Sequence, residues 1–104
     1  MSLEENRLYK IKIISRNLGK VLESGVSVDY EDLVREINLL FGASRRTSMD
    51  YLDLAMKDCR AVAVLIDGTR EIIHRGMAYD KIKDKTTNIM RDISEKELSC
   101  VRGA

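Results

Sequence analysis

The chain has 104 residues, 44% hydrophobic and 34% charged, with no proline and no tryptophan; that suffices for one domain with one small core and excludes a disordered tail. Eighteen Lys and Arg against 17 Asp and Glu leave a formal net charge of +1, which excludes the strongly basic balance of a protein that coats nucleic acid nonspecifically. No apolar run approaches the roughly 20 residues that cross a bilayer, and Glu4 and Glu5 stand where a signal peptide carries positive charge, so the expected location is cytoplasmic.

From about Glu4 to Glu23, the residues Leu8, Ile11, Ile14, Leu18, Val21 and Leu22 recur at three- and four-residue spacing between Arg7, Lys10, Lys12, Arg16 and Lys20. This predicts an amphipathic first helix, closed by Gly25 as a left-handed cap. Ile13 lies off the stripe and points to a second contact surface. Residues 25–28 alternate like a stub of strand, and Asp29 then stands as an N-cap, with Asp32 three residues on. The second helix that follows buries Tyr30, Leu33, Val34, Ile37, Leu40 and Phe41 and breaks at Gly42. Ser44 caps a third helix over 45–58. Two helices joined this tightly, with Gly at the break and a capping Ser after it, form the pattern of a helix-turn-helix.

Beyond Cys59 the period changes from about 3.6 to 2. Ala61-Val62-Ala63-Val64-Leu65-Ile66, then Asp67-Gly68, then Thr69-Arg70-Glu71-Ile72-Ile73-His74 predict a β-hairpin over 61–75. From about Tyr79 a last helix is expected to carry Ile82, Thr86, Ile89, Met90 and Ile93, with Leu98 and Val101 trailing. Its narrow stripe suits a coiled-coil seam.

Cys59 and Cys100 belong to no CxxC pair, and one histidine, His74, cannot complete a zinc set; both cysteines read as reduced thiols. His74 has no nucleophile or carboxylate constellation, and no glycine-rich phosphate loop is present. Neither an enzyme nor a metal or other cofactor is expected.

The element order, together with the run Ser44-Arg45-Arg46-Thr47-Ser48-Met49-Asp50-Tyr51-Leu52-Asp53-Leu54-Ala55, resembles winged helix-turn-helix domains, a family frequent among bacterial and archaeal transcription regulators. The run is similar to the start of their recognition helix, and the resemblance covers Leu8 to Arg75. It implies a mainly α fold with a small β-hairpin and long N- and C-terminal helices, as a single domain 1–104. Its core would span about 8–76, with 77–104 a C-terminal helix and dimerisation element.

The function implied is that of a dimeric DNA-binding regulator. Helix 45–58 would read the major groove and wing 61–75 the backbone. Ser44, Arg45, Arg46, Thr47 and Ser48 would contact DNA from the helix start, Lys57 and Arg60 would meet phosphate, and Thr69 and Arg70 would reach from the wing. Because one small core has little room for both terminal stripes, a homodimer through the C-terminal helix, and with it the N-terminal one, is expected. Asp50 and Asp53 on the third helix, and Cys59 where many relatives have Gly, depart from the family pattern. Those carboxylates and the near-neutral charge support a competing class, a winged-helix adaptor that binds protein without touching DNA.

Overall fold

The computed structural model describes residues 3–76, 85–86 and 89–92. Helix α1, Leu3–Leu22, ends in a turn where Gly25 takes φ 86°. Strand β1, Ser27–Asp29, leads directly into α2, Tyr30–Phe41. The Asp29 carboxylate accepts the Asp32 N–H at 3.0 Å, satisfying one of the amides a helix start leaves unpaired. At the far end Gly42, at φ 67°, donates its N–H to Asn38 O at 3.0 Å. The Asn38 amide nitrogen donates to Ala43 O, clamping the turn. Helix α3, Arg45–Asp58, starts after the Ser44 cap. The hairpin follows as β2, Ala61–Ile66, and β3, Thr69–His74.

The hairpin register runs from Ala61 opposite His74 to Ile66 opposite Thr69. Asp67 at φ 51° and Gly68 at φ 80° make the two-residue turn whose twist matches that of the strands. Strand β1 adds antiparallel to β3, with Val28 opposite Ile72. Strand β4, Lys85–Thr86, lies parallel to β1 on its other side. The sheet order is therefore β2-β3-β1-β4.

One core joins these elements: Ile14, Leu18 and Leu22 of α1, Leu33, Val34 and Ile37 of α2, Leu52 and Ala55 of α3, and Ile72 of β3. Helices α1 and α3 run in the same direction. The Lys10 ammonium lies 6.0 Å from the centre of the Tyr51 ring and the Ser15 hydroxyl donates to Asp58 Oδ2 at 2.5 Å. At Gly19 the two backbones come so close that a Cβ would sit 3.3 Å from the Cβ of Cys59. Ile13, off the main stripe, is 2% exposed and belongs to this same core, so its second contact surface is internal.

The C-terminal part departs from the sequence reading. In place of a continuous helix, Lys85–Thr86 is strand and Ile89–Asp92 a single 3-10 turn; the rest of the expected helix lies outside the described residues. The competing force is the open edge of β1, whose backbone groups are satisfied by β4. The turn is fastened by Glu36, whose carboxylate accepts the N–H groups of Ile89 at 3.2 Å and Met90 at 2.6 Å. Burial raises the Glu36 pKa, and these two bonds pull it back down in part. Ile89 and Met90 themselves are buried in the protomer's own core. One core thus takes apolar residues from α1 and from Ile89 and Met90.

Gly68 sits where an L side chain is strained, with open space around it. Gly68→Ala is expected to lower stability by about 1 kcal/mol in denaturant unfolding, and Gly68→Asn by less, because Asn tolerates the left-handed region.

Candidate nucleic-acid interface

Helix α3 is anchored by one face and bare on the other. Ser48, Leu52, Ala55 and Met56 are buried, while Arg45, Arg46, Asp50, Asp53, Leu54, Lys57 and Asp58 are exposed. This follows from the helical period, which leaves the 46, 50, 53 and 57 row on the exposed side of the helix, with Asp53 at the edge of that row within reach of the start of α2.

At the start of α3, Ser44 Oγ accepts the Thr47 N–H at 3.1 Å and donates to Thr47 Oγ1 at 3.0 Å. Both hydroxyls are thus engaged in capping. The Arg45 guanidinium reaches across the turn to Glu31 at the start of α2, with Nη2 2.8 Å from Oε2 and 3.0 Å from Oε1. Arg35, one turn along α2, pairs likewise with Asp32 at 3.2 Å. Val34, Arg35, Asn38 and Arg45 line a shallow depression at this corner. Arg46 is exposed and has no ion pair or side-chain hydrogen bond among the described residues.

Ser48 is fully buried, and its hydroxyl finds no partner among the described residues. It faces the core because it lies one turn before Leu52 and two turns before Ala55 on the buried face of α3, which takes it out of the residues expected to contact DNA.

On β3 of the hairpin, Arg70 stacks its guanidinium 4.0 Å from the centre of the Tyr30 ring. Tyr30 is buried, and its hydroxyl donates to Asp53 Oδ1 at 2.9 Å. Burial, then the bond to Asp53 and that carboxylate's charge, push the Tyr30 pKa up to about 12. Asp53 therefore has a structural acceptor role, and Asp50 is left as the bare carboxylate of the α3 row. Thr69 is half-buried at the wing tip. Lys57 and Arg60 are exposed at the far end of α3 without a charge partner among the described residues.

Cys59 ends α3, its N–H on Ala55 O at 3.0 Å, and burial pushes its thiol pKa up, so it stays protonated and unreactive. The residue after it, Arg60, takes the left-handed conformation at φ 57°. Cys100 lies outside the described residues. No group of three metal-binding side chains occurs among the described residues, and no helix there is long and apolar enough to cross a membrane.

The structure thus brings Ser44, Arg45, Arg46 and Thr47 together at one end of α3, and Lys57 and Arg60 at the other. Sequence reasoning missed Glu31, the partner of Arg45, and the Tyr30–Asp53–Arg70 stack. No periodicity links residues 14 or 40 positions apart; only the folded turn does. Comparison with protein-family models, with curated proteins and with solved structures finds no match to this chain.

Tyr30 is expected to ionise near pH 12 in a spectrophotometric titration. Its folded pKa lies above the unfolded value of about 10, so its stabilisation is complete below pH ~10 and is lost between there and pH ~12. Tyr30→Phe should remove the late step. Ser48→Ala is expected to leave the protein as stable or more stable by about 1 kcal/mol, since it deletes a buried hydroxyl with no partner.

Proposed function

We propose that the chain binds double-stranded DNA through the exposed row of α3, with the N-terminal turn of that helix at the major groove and the hairpin beside it, as a winged-helix regulator. The observation that carries this reading is the exposed N-terminal turn of α3: a capped helix start presenting Arg46 and, weakly paired with Glu31, Arg45, on a helix whose opposite face is locked into the core. Amides and the positive end of the helix dipole favour phosphate there, and a guanidinium can also donate in bidentate fashion to guanine.

The Arg45–Glu31 pair does not oppose this. Both partners are about half exposed or more, and such pairs contribute roughly 0–1 kcal/mol, less than a phosphate or guanine contact returns. Arg70 is itself exposed but sits on a buried ring, so leaving it costs about 1–2 kcal/mol. Arg46 has nothing to give up, and is the residue on which binding should depend most.

A second reading, a protein-binding adaptor, is favoured by the mixed character of the same side: Asp50 lies on the α3 row, Leu54 is 38% exposed, and Leu65 on the wing is 76% exposed. The two readings part in a fluorescence-polarisation titration against a random duplex pool over a salt series. DNA binding predicts a steep loss of affinity with salt and a weakening of roughly tenfold for Arg46→Ala. It further predicts that Glu31→Gln tightens binding modestly, because Arg45 is released to the duplex. No duplex binding at low salt, or binding indifferent to Arg46, would favour the adaptor.

A further inference from the structure

Strand β2 is an edge: among the described residues it pairs with β3 alone. Its six residues, Ala61-Val62-Ala63-Val64-Leu65-Ile66, contain no charge, no proline and no glycine. Edge strands in monomeric proteins are ordinarily guarded by charges, prolines or bulges, because their free N–H and C=O groups template pairing with another chain. This strand has no such guard along its length.

The parity of its hydrogen bonds is set by the hairpin. A two-residue turn makes Ile66 and Thr69 a hydrogen-bonded pair, so Ile66, Val64 and Val62 bond inward to β3. The Arg75 N–H on Arg60 O at 2.9 Å continues that series at the base. Ala61, Ala63 and Leu65 therefore aim their backbone groups outward. Leu65 also holds its side chain in solvent, at 76% exposure.

The strand is bounded by charge of opposite sign, Arg60 before it and Asp67 after it, both exposed. Antiparallel pairing of two copies keeps side chains on matching faces when Ala63 meets Ala63, or when Ala63 meets Leu65. Either register sets Arg60 of one copy within a residue of Asp67 of the other, twice over by symmetry. A parallel arrangement would set like charges side by side.

We propose that β2 is a homodimer seam, pairing antiparallel with β2 of a second copy about a two-fold axis and continuing the sheet from one protomer into the next. The occupant is a second copy because the strand's two ends complement each other in charge and its middle is neutral, so it is its own best partner. Such an isologous contact closes on itself and does not propagate. The seam is carried by the strand edge and stands or falls independently of DNA binding.

The test is sedimentation equilibrium of the full chain without DNA over a wide concentration range, with circular dichroism to verify folding. The wild type is expected to dimerise reversibly. Leu65→Lys, which places a charge on the edge, and Ala63→Pro, which removes an outward N–H that β3 does not use, are each expected to leave a folded monomer. Arg60→Glu should weaken dimerisation roughly tenfold by setting two like-charged pairs across the seam, and adding Asp67→Lys to it should restore the dimer. A wild type that stays monomeric at millimolar concentration overturns the proposal. So does a dimer that survives Leu65→Lys and Ala63→Pro, or one whose charge reversal the second change fails to rescue.

Discussion

Tyr30 stands where α2, α3 and the β2–β3 hairpin meet, and the geometry of the exposed side depends on what its ring and hydroxyl hold. The ring is buried under the first turn of α2, its hydroxyl bonds to Asp53 in the middle of α3, and its outer face carries the Arg70 guanidinium from β3. A single side chain thereby ties the hairpin to the helix pair. The Tyr30 hydroxyl is satisfied by a carboxylate on the exposed row of α3. Asp53 is thus consumed by the fold at a position where a free acid would repel phosphate.

The same economy governs the cations. Arg45 is held by Glu31 and Arg70 by an aromatic face, so the side chains most suited to a polyanion begin in weak intramolecular contacts. Such contacts keep long side chains in defined places at small energetic cost, and a polyanion can displace them. The near-zero net charge is consistent with this local pairing. If the chain binds DNA as proposed, the affinity would come from a few released or unpaired groups, chiefly Arg46, and not from a general positive field.

The strand edges are treated unequally. The free side of β1 is covered by Lys85–Thr86, and the segment beyond is pinned by Glu36 and by the burial of Ile89 and Met90. The free side of β2 is bare among the described residues and wholly apolar in sequence. One edge is closed within the chain, and the other is left in a form that suits a second copy.

Much of the architecture was legible along the chain because it is written in local rules. The stripe from Ile11 to Leu22, the Asp29 and Ser44 caps, the break at Gly42 and the Asp67-Gly68 turn each act within a few residues, and each appears in the structure where its chemistry places it. What local rules could not decide was the direction of residues whose partners are distant. Ser48 looked like a free hydroxyl and is core; Arg45 looked free and is paired. Apolar residues at helical spacing past Tyr79 looked like helix, yet the open edge of β1 drew Lys85–Thr86 into the sheet. The helix-turn-helix and hairpin that first suggested a DNA-binding surface were therefore determined by the sequence alone. Which of their side chains stand free to use that surface was decided only by tertiary contacts, because a carboxylate, an aromatic ring or an unpaired strand edge acts through space and leaves no periodic trace in the chain.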